Sequence, residues 1–220
     1  MAPRRPAPSE QRPTPRLYLM TPPVADAAGF ARILDDALAA ADVAAVLLRL
    51  APASDRDLIK RAKAIAPIAQ GRSVALLLDG HADIAAHAGA DGTHLTGVEA
   101  LRGAIASLQP QRIAGVGGLR TRHDAMLAGE AGADYVMFGE PDADGRRPSS
   151  EAVIERVAWW AEVFQPPCVG FAGAPGDVAA LGRAGADFVA LGDWVWSDSA
   201  GPADAVAKAA GQLATPEPVP

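Results

Sequence analysis

Short apolar runs recur along the chain between longer, alanine-rich stretches of mixed polarity. Eight can be counted: Leu17–Thr21, Val43–Leu48, Ser73–Leu78, Gly92–Leu95, Arg112–Val116, Tyr135–Gly139, Cys168–Ala172 and Phe188–Gly192, each followed by helix-compatible sequence. This alternation predicts parallel βα units rather than a sandwich or a bundle. A repeat supports the count. Ala41-Asp42, Gly89-Ala-Asp91, Gly132-Ala-Asp134 and Gly185-Ala-Asp187 each stand immediately before an even-numbered run. Glycine there suits a left-handed helix end, and Asp suits free backbone N–H groups of the tight αβ turn that follows. Each interval between the Asp positions holds two βα units, which predicts an α/β fold, a single-domain (β/α)8 TIM barrel over residues 16–214. A doubly wound open sheet is the alternative.

The ends differ in character. Residues 1–15 are rich in Pro and Arg and lack an apolar core of the kind a secretory signal has, so they read as a disordered tail. Residues 215–220, TPEPVP, read as a second one. No apolar run approaches the roughly 20 residues of a spanning helix, so no membrane is expected. The 220 residues are 50% hydrophobic, enough for a core, and the net charge of −6 lacks a nucleic-acid binder's basic stripe. Cys168 is the single cysteine, which rules out an intrachain disulfide and fits a reducing cytoplasm. The sequence leaves a homo-oligomer open.

In a barrel of this kind chemistry sits at the C-terminal ends of the strands. That rule selects Thr21, Arg49, Asp79, His94 with Thr96, Gly117-Gly118, Glu140, Gly173 and Asp193, and leaves the Gly-Ala-Asp turns on the opposite, structural rim. Arg49 offers a planar donor fork to a phosphate or carboxylate, or a surface ion pair. Asp79 suits a metal, an oriented donor or a helix cap. Gly117-Gly118 and Gly173 let backbone N–H groups approach an anion, or simply turn the chain. His94 is a proton donor, a ligand or a core histidine with a satisfied hydrogen bond. After the sixth run, GEPDADGRRPSS places Glu140, Arg146 and Arg147 within reach of a ligand or on a solvated turn. Trp194 and Trp196 form a stacking platform or plug the mouth. No ligand spacing typical of zinc occurs, while loosely bound Mg²⁺ stays open.

RLYLMT from Arg16, DGTHLTG after Gly89-Ala90, IAGVGG, GADYVMFG and GADFVALG stand in the order and approximate spacing of one family. Over about residues 16–210 the chain resembles a divergent member of the thiamine phosphate synthases and their thiazole tautomerase relatives. The resemblance implies a barrel that joins hydroxymethylpyrimidine diphosphate to a thiazole phosphate and releases pyrophosphate with help from Mg²⁺. Its substrates would be small phosphorylated heterocycles.

By position, the resemblance puts Arg49, Asp79 and Arg147 in catalysis and Asp79 with Glu99 on the metal. Strand-end position and the resemblance together put Arg49, His94, Gly117, Gly118, Glu140, Arg146, Gly170, Gly173 and Trp194 around substrate and phosphate. Several family positions are changed. Of the Gln-x-Arg-x-Lys motif only Arg49 remains, Asn-Asp is Asp79-Gly80, and the Gln before Glu99 has become Gly97. The serine after the fifth strand is Gly117, the Thr-x-Thr-Lys loop is replaced by DADGRRP, and a small Ser-Ala step is Asp193-Trp194. The tautomerase histidine falls at Leu119 or Arg120, with His123 nearby. The other reading is a paralogue that keeps the barrel and serves as a binding or regulatory protein, or acts on another small phosphorylated molecule.

Overall fold

The computed structural model describes residues 13–214. The expected tails therefore fall outside the described residues, except for Pro13–Pro15, which lead without regular structure into the first strand. Eight strands alternate with eight helices. They are β1 (Arg16–Met20), α1 (Ala27–Ala39), β2 (Val43–Leu48), α2 (Asp55–Gln70), β3 (Ala75–Asp79), α3 (Ala85–Ala88), β4 (Gly92–Thr96) and α4 (Val98–Leu108). Then follow β5 (Ile113–Gly117), α5 (Arg122–Glu130), β6 (Tyr135–Phe138), α6 (Ser150–Val163), β7 (Cys168–Ala172), α7 (Asp177–Arg183), β8 (Phe188–Leu191) and α8 (Pro202–Ala214). All strands are parallel, and β8 pairs back with β1 to close the barrel. The open-sheet alternative is thereby excluded.

The strands are apolar on successive positions because both faces are covered. Tyr18, Met20, Leu47, Leu77, Tyr135, Met137, Val169 and Phe171 fill the barrel interior. Their chain neighbours Leu17, Leu19, Val46, Leu48, Leu76 and Leu78 pack outward under the helices. Polar side chains start the helices at the mouth: Asp26 caps α1, Ser54 caps α2, Ser149 caps α6, and Thr121 with Asp124 forms a reciprocal capping box on α5.

The Gly-Ala-Asp repeat is structural, by a longer reach than the local turn suggested. Gly89, Gly132 and Gly185 adopt the expected left-handed conformation. The aspartates, however, bond the preceding, odd-numbered strand. Asp91 accepts from Leu76 N, Asp134 from Ala114 N and Asp187 from Cys168 N, each at 2.8 Å, and Asp42 takes the Arg16 guanidinium instead. Three of the four carboxylates thus close a backbone donor at the rim remote from the mouth.

Candidate active site

At the C-terminal ends of β3 to β6 a cavity of about 640 Å³ opens between the βα loops. Its charges are divided. The half-buried carboxylates of Asp79 and Glu140 lie on the strand ends, while Arg120, Arg146, Arg147 and Arg156 come from the loops after β5 and β6 and from α6. Arg156 donates to Leu119 O (3.1 Å) and Arg120 O (2.7 Å), which ties α6 to the loop after β5. The exposed Arg146 pairs with Asp144.

Arg147 is the most constrained of the four. Its guanidinium lies 5.3 Å from the Phe171 ring centroid, 3.6 Å from Asp177, and directly over Gly173, where any side chain would overlap it. Its Nε is buried with no hydrogen-bond partner. A buried donor without an acceptor is costly, so the guanidinium is held there by its other contacts. Asp177 also accepts the N–H groups of Gly173 (3.0 Å) and Ala174 (3.1 Å), so a carboxylate occupies that backbone cradle.

Beneath the cavity the barrel interior is polar along one line. Tyr18 and Tyr135 share a hydroxyl bond of 2.9 Å, and the Tyr135 hydroxyl lies 2.9 Å from His94 Nδ1, with the His94 and Tyr135 rings stacked. Burial raises both tyrosines above their ordinary range and holds the His94 imidazole down at about 4, so it is neutral near pH 7. Glu140 moves the other way. Burial, reinforced by Asp79, lifts its carboxyl to about 7, against the N–H of Gly118 and the charge of Arg156. Asp79 is likewise raised by burial and lowered again by Arg49 and His81.

These two shifts oppose each other in folding. Below its ordinary value of 6.5 the unfolded chain protonates His94 while the native state does not, so stability falls as pH drops from 6.5 to about 4. Above 4.5 the unfolded chain ionises Glu140 while the native state keeps it protonated, so stability falls as pH rises to about 7. In the wild type the two nearly cancel between pH 4.5 and 6.5. Glu140→Gln should therefore gain on the wild type as pH rises from 4.5 to 7, and His94→Gln should gain as pH falls from 6.5 to 4, each by about 3 kcal/mol. Urea titrations across that range check it; parallel curves for the three proteins would contradict it.

The remaining sequence candidates separate into groups. Arg49 stands at the mouth but is held, donating from Nε to Thr21 O and pairing through Nη2 with Asp193. Gly117 and Gly118 lie beside Glu140, and Gly118 donates its N–H to that carboxylate. Gly170 lies within β7 and faces Leu181, where its missing side chain admits the α7 layer. Trp194 packs against the outer core with its indole N–H on Ala172 O (3.0 Å), and Trp196 donates to Met20 O (2.6 Å). Both indoles are thus used as plugs.

Glu99 opens α4 with its side chain 88% exposed and paired with Arg102. Among the described residues no three His, Cys, Asp or Glu side chains come together as a metal site. Asp79 fits a Mg²⁺ that arrives on a diphosphate and takes its other ligands from phosphate and water, whereas Glu99 does not fit.

Sequence reasoning missed Arg156 and the cationic part of Arg120. The tyrosine pair was also missed, although buried tyrosines need hydroxyl partners.

No helix among the described residues is long and apolar enough to cross a membrane. The sequence pattern of the thiamine monophosphate synthase family matches residues 17–194. The chain is 43% identical over 195 residues to thiamine-phosphate synthase of Rhodospirillum centenum, covering 87% of this chain and 94% of the relative. It is 37% identical over 210 residues to the enzyme of the same name from Hyphomonas neptunium, covering 90% and 93%. Among solved structures, thiamine phosphate pyrophosphorylase from Pyrococcus furiosus superposes with a TM-score of 0.74 at 19% identity, covering 90% of this chain and 95% of that one. The 3-hexulose-6-phosphate synthase of Salmonella typhimurium reaches 0.71 at 20% identity, covering 90% and 98%. The two structures share the fold. With the pattern matched from the first strand to the last and the relatives matched over most of their length, the chain belongs to the thiamine monophosphate synthase family.

Proposed function

We propose that this chain is a thiamine phosphate synthase, joining hydroxymethylpyrimidine diphosphate to a thiazole phosphate. The division of charge in the 640 Å³ cavity supports this reading most directly. A ring with N–H donors at one end and a diphosphate at the other fits a pocket with carboxylates on its strand ends and arginines on its loops. In the reaction the bond from the pyrimidine methylene carbon to the diphosphate oxygen breaks, and its electron pair leaves with pyrophosphate. The thiazole nitrogen then forms the new C–N bond with its lone pair.

Charge grows on the leaving oxygens, and the guanidinium groups of Arg147 and Arg120, which line the cavity, would receive it. Arg156 holds the intervening loop. Mg²⁺, carried in by the diphosphate and held by Asp79, would neutralise part of the same charge. A reducing cytoplasm suits the single, buried Cys168.

The test is incubation of the purified chain with both substrates, with and without Mg²⁺, measuring thiamine phosphate and pyrophosphate together. Equimolar release of the two products is expected. Absence of both products, with no calorimetric binding of either substrate, would favour the altered paralogue.

A further inference from the structure

At the end of β5 the backbone of Gly117 leaves a volume that a side chain would fill. A Cβ on this residue would overlap the Glu140 carboxylate and stand 2.7 Å from His94 Nε2. The carboxylate reaches across from the end of β6 into that volume and is anchored there by the N–H of Gly118. The arrangement therefore needs two things at once, no side chain at 117 and a long acid at 140. His94 cannot retreat to make room, being stacked on Tyr135 and bonded to its hydroxyl.

We propose that Glu140, admitted by the bare backbone of Gly117, is a specificity-determining residue that reads the amino edge of the pyrimidine ring. This rests on the synthase reading above and names how that site selects its ring. The geometry supports an N–H donor as the partner. Once ionised the carboxylate has about four acceptor positions, and the N–H groups of Gly118 and of Glu140 itself leave about half of them for a ligand in the cavity it lines. A phosphate oxygen in contact with Glu140 would meet a like charge rather than a donor. Arg156, whose charge acts on Glu140, directs two of its N–H groups to Leu119 O and Arg120 O. An amino group meets an acceptor, while an oxo group in its place puts two acceptors face to face. A site built on a hydrogen bond to a charged group rejects the analogue that cannot make it by a factor of about 10 to 100.

The experiment compares wild type, Glu140→Ala, Glu140→Gln, Gly117→Ala and the Gly117→Ala/Glu140→Ala pair, each checked for folding by its thermal melt. Calorimetric binding and kcat/KM are measured for the aminopyrimidine diphosphate and for its analogue with oxo in place of amino. Glu140→Ala should lower the amino-to-oxo preference about 10- to 100-fold, leave KM for thiazole phosphate unchanged, and be partly rescued in Glu140→Gln. Gly117→Ala should lower the same preference, yet not move that preference further once Glu140 is gone. An unchanged preference in Glu140→Ala, or an equal effect of Gly117→Ala with and without Glu140, overturns the proposal. A folded wild type that neither binds nor converts either pyrimidine overturns the synthase reading too, a result distinct from an active enzyme whose preference does not move.

Discussion

Arg147→Ala should lower kcat/KM for thiamine phosphate formation by a factor of about 10² to 10³, the usual consequence of removing one preorganised donor from developing charge. The expectation rests on how the side chain is held rather than on its charge alone. Phe171 supports the guanidinium face, Asp177 fixes one edge, and Gly173 clears the floor, so the donor fork is in position before substrate arrives. A preorganised group needs no reorganisation at the moment the C–O bond breaks.

Lysine should not rescue it. A flexible ammonium cannot lie flat on Phe171, meet Asp177 and still offer a planar donor fork to the cavity, so Arg147→Lys should stay within about tenfold of Arg147→Ala. Arg146→Ala, by contrast, removes an exposed side chain already paired with Asp144 and should cost far less. Steady-state kinetics of the three variants, with melts to confirm folding, check the order. Equal losses for Arg146 and Arg147 would show that net charge, not the held geometry, matters.

The barrel was legible because its signal is repeated. Eight apolar runs, each short and each followed by a helix, and four Asp residues at matching positions all point to one topology. Strand limits shift by no more than two residues, as for Ser73–Leu78 against Ala75–Asp79. The site was legible only where position alone decides it. Any residue closing a strand of a parallel barrel reaches the mouth, which located Asp79, Gly117 and Glu140.

What lay beyond the sequence was pairing. That Asp193 claims Arg49, 144 residues away in sequence, depends on the closure of β8 onto β1. That Gly117 and Glu140 share one volume depends on neighbouring strand ends, and neither residue signals the other locally. Arg156 sits in mid-helix, where a charged residue ordinarily means solvent, and only the rotation of α6 turns it toward the loop after β5. Gly170 looked like an anion contact, yet strand alternation sends its face outward to Leu181.

Trp160→Ala should produce the largest loss of stability among single substitutions, about 3 to 5 kcal/mol. Trp160 is fully buried on α6, stacked on Phe164 at 4.2 Å and edge-on to Phe138 at 5.9 Å, with its indole N–H on Pro166 O at 2.7 Å. Alanine leaves a large cavity between α6 and the barrel, and it leaves the Pro166 carbonyl without its partner. For a domain of this size the midpoint of thermal unfolding should fall by about 10 °C or more. Trp159→Ala provides the contrast, since that ring is only half-buried and rests partly under Arg122; its loss should be much smaller. Trp160→Phe should fall between, keeping the stack and losing the hydrogen bond.

The consequence reaches the site. Phe138 closes β6 two residues before Glu140, and Arg156 stands one turn before Trp160 on α6, so the cavity loosens at both a carboxylate and a loop anchor. At temperatures where Trp160→Ala remains folded, KM for the pyrimidine diphosphate should therefore rise while Trp159→Ala leaves it unchanged. An unaltered KM would mean that β6 and α6 hold the mouth independently of the packing beneath them.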